Sequence, residues 1–149
     1  MTKSNDDVPQ PRISYLVARL DRLIRANLAE TLKPLGVSVP QYTLMSVLAH
    51  RPGLSNAQLA RRSYISAQAM HQLVNTLEER GLIERSSSPD HGRIQMTTLT
   101  PAGRSVLDEC DTAVAVVEER LFEPISPEEE DDLRRIVEVI IGHDRGIRS

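Results

Sequence analysis

S-A-Q-A-M-H-Q-L-V-N-T-L-E-E-R-G, Ser66 to Gly81, is the stretch on which the fold turns. Ser66 is a residue type that accepts a hydrogen bond from the backbone at a helix start, and Gly81 suits the left-handed conformation that stops one. Between them Met70, Leu73 and Leu77 recur at three- and four-residue steps, so they share one face, and that face is core. At about 100° per residue the opposite face carries Gln68, Gln72 and Asn75, with His71 at its flank. Side-chain amides read adenine edges bidentately, and they also occur on an ordinary polar surface; the neighbouring residues decide between the two.

On the N-terminal side, Ser55 to Ser63 reads as a short helix opened by the capping box Ser55/Gln58, with Leu59 and Ala60 inward and Arg61 and Arg62 near its end. The joint Ser63-Tyr64-Ile65 has the length of the turn in a helix-turn-helix, whose second helix enters the major groove. On the C-terminal side, Leu82-Ile83-Glu84-Arg85, a polar loop from Ser86 to Gly92, and Ile94 to Leu99 predict a hairpin with a long tip. That tip holds Pro89, Asp90, His91, Gly92 and Arg93. A cation on a projecting loop suits a narrow minor groove.

This ordered set, a helix-turn-helix, E-E-R-G-L-I-E-R, the loop P-D-H-G-R, a strand and then L-T-P-A-G, resembles the winged helix-turn-helix of the MarR family of bacterial transcription regulators. The likeness covers nearly the whole chain, and Leu35-Gly36-Val37-Ser38-Val39-Pro40-Gln41 resembles that family's join between its first two helices. It implies a mainly α (α+β) fold. Residues 37–100 would form the DNA-binding lobe and residues 13–36 and 101–149 the dimerisation helices, preceded by a loose N-terminal arm, residues 1–12. By the same resemblance Asp90 holds Arg93 for the minor groove. Gln72 stands where several members carry an Arg, so the operator need not resemble theirs.

Composition sets the outer bounds. A chain of 149 residues, 40% hydrophobic with three Tyr, one Phe and no Trp, is long enough for one helical core. It has no apolar run of about 18 residues for a membrane span, and the polar start with Asp6 and Asp7 is unlike a signal peptide, so a cytoplasmic protein is expected. One cysteine excludes an internal disulfide framework. His50, His71, His91 and His143 are scattered, no Gly-rich phosphate loop appears, and neither an enzyme nor a bound cofactor or metal is expected. The net charge of −3 is unevenly divided: residues 1–104 carry 13 Lys and Arg against 8 Asp and Glu, and residues 105–149 carry 5 against 13. The plain reading of the acidic end is a solvated helix face, and the division merely permits nucleic-acid binding.

The remaining chain reads as helices with well-marked ends. Ile13 to Leu32 carries Ile13, Leu16, Val17, Leu20, Leu23, Ile24, Leu28 and Leu32 at helical steps, and Pro34 and Gly36 end it. A second helix starts at Val39 or Pro40 and runs to His50, with Leu44, Val47 and Leu48 inward, and Leu54 is placed to pair briefly with the wing. Thr100-Pro101 opens a helix of about 20 residues with the stripe Val106, Cys110, Ala113, Val114, Val117 and Leu121. Ser126 and Glu129 cap the last, whose inner face is Leu133, Ile136, Val137, Ile140 and Ile141.

Long apolar stripes at both ends of the chain exceed what a compact winged lobe covers, and a homodimer is expected to bury them. The expected function is a sequence-specific regulator of double-stranded DNA, a repressor acting on a pseudo-palindromic operator. Gln68, His71, Gln72 and Asn75 are the candidate base contacts, Arg62, Ser66 and Arg85 the backbone contacts, and Asp90 and Arg93 the wing contacts. Family resemblance further implies release by a small aromatic or phenolic ligand, for which Tyr15, Arg19, Tyr42 and Met45 are candidate lining residues. Two other readings stand beside it: a winged-helix protein-interaction module, and a redox sensor acting through Cys110. For Cys110, on an apolar stripe, an inert buried thiol is the plainer expectation.

Overall fold

The computed structural model describes residues 8–63, 65–87 and 95–148. Its elements begin and end where side chains cap or break them. Helix α1 (Ile13–Leu32) passes into a 3₁₀ turn, Lys33–Leu35, at Pro34, and Gly36 closes that turn at φ +69°, a conformation that favours glycine. Helix α2 (Val39–His50) opens on a complete capping box, in which the Ser38 hydroxyl accepts from the Gln41 amide and the Gln41 side chain accepts from the Ser38 amide. Ser55 and Gln58 make the same reciprocal pair at α3 (Asn56–Ser63). Ser66 caps α4 (Ala67–Glu79) by accepting from the Ala69 amide at 3.1 Å, and Gly81 ends the turn after it at φ +73°.

Strands β1 (Ile83–Ser87) and β2 (Gln95–Leu99) pair antiparallel, with Ile83 opposite Leu99 and Arg85 opposite Thr97. Leu54 adds a one-residue bridge to Thr97, as its position in the sequence suggested. The wing tip, with Asp90 and Arg93, lies outside the described residues, as do Tyr64 of the helix-turn-helix joint and Met1–Asp7 of the expected arm. Helix α5 (Pro101–Phe122) starts at Thr100, whose hydroxyl accepts from the Gly103 amide and donates to the Gly81 carbonyl at 2.6 Å. At Gly103 a Cβ would overlap the carbonyl oxygen of Leu82, so only glycine lets α5 approach the wing base this closely. Helix α6 (Pro127–Arg148) carries the expected Ser126/Glu129 capping box.

The chain divides within α5 into two compact units, one reaching Val114 and one starting at Ala115. In the first, α2, α3, α4, the wing base and the start of α5 enclose a core that includes Leu44, Leu48, Leu59, Met70, Leu77, Ile83 and Cys110. Val74 and Leu107, absent from the apolar stripes expected from sequence, are fully part of it. Along α1 only Leu32 is buried, while Ile13, Leu16, Val17, Leu20 and Leu23 remain exposed. In the second unit α6 likewise exposes Ile136, Val137, Ile140 and Ile141. Among the described residues no helix is long and apolar enough to cross a membrane.

Candidate nucleic-acid interface

With Met70, Val74 and Leu77 sealed in the core, α4 turns Gln68, His71 and Gln72 outward, all exposed, and leaves Asn75 half-buried at their end. Its first turn carries no acidic side chain, so the positive end of the helix dipole is not neutralised where a phosphate would approach. Ser66 is exposed; its oxygen is engaged by the Ala69 amide, and the hydroxyl proton remains a donor for a phosphate. Arg62 lies half-buried in the last turn of α3.

Arg85, expected to meet the DNA backbone, turns onto α4 instead. Its Nε donates to Glu78 Oε2 at 2.8 Å, and its Nη2 donates to Glu78 Oε1 and to Asn75 Oδ1, both at 2.9 Å. This commits Nε and both Nη2 hydrogens, so that Nη1 is the part of the guanidinium outside the cluster. The two-point bond to Arg85 holds the Glu78 carboxyl below the usual carboxylate value, and Glu78 in turn raises the Arg85 guanidinium above its own. Strand parity carried a signal for this contact. Alternation puts Arg85 on the same side as the buried Ile83, the face toward α4, while Glu84 points outward.

Arg80, not singled out from sequence, sits just past α4 and donates through Nη1 to the Gly36 carbonyl at 2.8 Å and to Gln41 Oε1 at 3.3 Å. The end of the candidate recognition helix is thereby tied to the α1–α2 joint.

None of the four candidate ligand residues lines the open groove at the α1–α2 joint. Met45 is completely buried in the core and is withdrawn from that role. Tyr42 donates its hydroxyl to Asp111 on α5 at 2.7 Å. Tyr15 and Arg19 lie one turn apart on exposed α1, with the guanidinium 5.9 Å from the ring centroid, in cation–π range. An open groove of about 550 Å³ lies instead at the α1–α2 joint, lined by Ala29, Lys33 and Gly36 to Pro40. Cys110 is fully buried, and burial, reinforced by Asp111 and Glu109, pushes its thiol pKa up, opposite to what a reactive thiolate needs. That favours packing over redox sensing.

Two helices joined by a short turn, followed by a two-stranded wing and flanked by N- and C-terminal helices, define a mainly α winged helix-turn-helix protein. The MarR family profile matches residues 35–94. The transcriptional repressor Rv2887 of Mycobacterium tuberculosis is 30% identical over 133 residues, which are 89% of this chain and 94% of that one. A solved structure of the Rv2887 protein in complex with salicylic acid has a TM-score of 0.72 at 30% identity, over 91% of this chain and 98% of its own. Its complex with DNA gives 0.73 at 26%, over 88% and 98%. The chain belongs to the MarR family, whose members are transcription regulators and not enzymes.

Proposed function

We propose that this chain is a homodimeric, cytoplasmic repressor that binds a pseudo-palindromic site on double-stranded DNA and leaves it when a small aromatic acid binds. The observation that carries the reading is α4 itself, a helix whose apolar face is closed within the lobe and whose open face is built from Gln68, His71 and Gln72. Gln68 and Gln72 contact bases, with His71 at the flank and Asn75 at the end of the row. The Ser66 hydroxyl and Arg62 serve phosphates. Asp90 and Arg93, outside the described residues, supply the minor-groove part of the proposal. A second copy covers the exposed faces of α1 and α6, and two-fold symmetry sets the two recognition helices about 34–36 Å apart, one turn of B-DNA.

The ligand reading draws on the complex of the related Rv2887 protein with salicylic acid and on the groove beside Lys33, whose ammonium suits a carboxylate. Gly36, which lines the groove, also holds Arg80 at the end of α4, so a ligand there touches backbone that anchors the recognition helix. Release requires the ligand to favour the non-DNA conformation by about 1.4 kcal/mol for each tenfold loss of operator affinity. Selection from a randomised duplex library tests the whole reading. Inverted half-sites about ten base pairs apart are expected, and Gln72→Ala should alter preference at particular base pairs, by about 1–3 kcal/mol for a bidentate contact. No enrichment, together with no mobility shift on random duplex at low salt, would favour a protein-interaction module instead.

A further inference from the structure

The lobe that carries α4 meets α1 through a short joint, and Arg80 lies across that joint. Along α1 only Leu32 is buried, with Leu28 packed beside it against the core, so the helix is held to the lobe at its C-terminal end. The chain then turns at once: the Gly36 amide donates to the Lys33 carbonyl at 3.0 Å, and Gly36 itself stands at φ +69°. Turns of a few residues between packed elements are the usual hinges, because a small number of torsions absorbs the motion. Arg80 removes that freedom. From the C-cap of α4 its Nη1 donates to the Gly36 carbonyl at 2.8 Å, and the same nitrogen donates to Gln41 Oε1 at 3.3 Å. Gln41 Oε1 also accepts from the Ser38 amide at 3.0 Å, so one guanidinium spans both sides of the turn, the glycine that follows α1 and the capping box that opens α2. Nη2 packs there too, 3.6 Å from where a Cβ on Gly36 would stand. The α4 end of this brace is firm, since Met70, Val74 and Leu77 are fully buried in the core.

We propose that Arg80 is a positioning residue for DNA binding: by bracing the α1–α2 joint against the firm end of α4 it sets the direction of α1 relative to the recognition helix, and so makes the dimer selective for the distance between half-sites. The inference rests on the dimeric DNA-binding reading above and assigns one property of it to one side chain. With α1 shared between two copies, a swing at the joint changes the separation and relative rotation of the two α4 helices. One base pair added between half-sites moves them apart by about 3.4 Å and turns one against the other by about 35°, so a braced dimer accepts one spacing and a hinged dimer several. Helix α5 leaves the same lobe from Thr100 as one continuous helix. A second, braced attachment at the joint resists rotation about the first.

The test is competition binding of the full-length protein to its library-selected duplex and to duplexes whose spacer between half-sites is shortened or lengthened by one and two base pairs. The unaltered protein should lose about tenfold or more in affinity for a change of one base pair, as expected when a stiff reader must deform the duplex to reach both half-sites. Arg80→Met, which keeps the aliphatic stem and loses the donors, should reduce that loss to within about threefold, because hydrogen bonds from a charged donor contribute on the order of tenfold. Base preferences within each half-site should stay put. Arg80→Lys, whose ammonium can donate to two acceptors as Nη1 does, should restore most of the discrimination. Gln41→Met, which removes one acceptor and leaves the Gly36 carbonyl, should relax the spacing in the same direction by less, and it decides the matter if Arg80→Met does not fold. A spacing profile unchanged in Arg80→Met, whatever its effect on urea stability, overturns the inference while leaving DNA binding intact. Equal affinity of the unaltered protein for every spacing does the same. Enrichment of single half-sites would overturn the dimeric reading, and no enrichment at all the DNA-binding reading; the inference falls with either.

Discussion

Leu77 in α4 and Leu23 in α1 occupy equivalent places in two amphipathic helices, each on the apolar side of a clear helical repeat. Leu77 is fully buried with Met70 and Val74, whereas Leu23 keeps 50% of its surface exposed in the company of Ile13, Leu16 and Val17. The period of a stripe states that a face will leave water; it does not state which chain supplies the cover. In this molecule α4 is covered from within, which frees its polar side for another molecule. The apolar side of α1 is left exposed.

The contrast makes its largest prediction at Leu77. Leu77→Ala should cost about 2–5 kcal/mol of folding stability, measured by urea denaturation at fixed protein concentration, because the cavity forms in a closed core. A loss no larger than that of an exposed α1 leucine would erase the distinction between the helices. A smaller effect of a different kind is expected from Leu23→Glu: helix content by circular dichroism should be retained, while dimer association weakens by at least tenfold, or about 1.4 kcal/mol. Loss of helix content with no change in association would mean that α1 is covered within its own chain.

The smallest effect concerns acid. The folded-state pKa of Glu78 lies below its ordinary value, so the stabilisation from its pairing with Arg85 is present in full above that ordinary value and fades only as pH falls through the lower, folded one. The stability difference between the unaltered protein and Glu78→Gln should therefore be the same at pH 7 and at pH 5.5. A change across that interval would assign the effect to a group other than Glu78.

Much of this architecture is legible in the sequence because its signals are local. Serine caps at Ser55, Ser66 and Ser126, the stop at Pro34 and Gly36, and the Thr100-Pro101 start each depend on residues within one turn, and α1 runs over the expected Ile13–Leu32. The burial of Met45 is not legible for a physical reason: Val39, Tyr42, Leu44, Met45, Val47, Leu48 and Ala49 together spread around most of α2, so periodicity does not say which side faces a crevice. The cluster of Asn75, Glu78 and Arg85 shows the complementary limit. Strand alternation gives the face of Arg85, but its partners lie seven and ten residues away across a turn, and only the folded geometry joins them. Arg80 reaches further still, 44 residues back to Gly36.

Operator binding as proposed requires that the exposed apolar faces be a shared surface between two copies, which together present two α4 helices to DNA. Sedimentation equilibrium of the full-length chain at micromolar concentration, alone and with the selected duplex, measures this directly. Alone, the protein should have twice the 16.6 kDa mass of the single chain, and with DNA it should form a complex of one dimer per duplex. A stable 16.6 kDa species that binds the duplex one chain at a time would contradict the account.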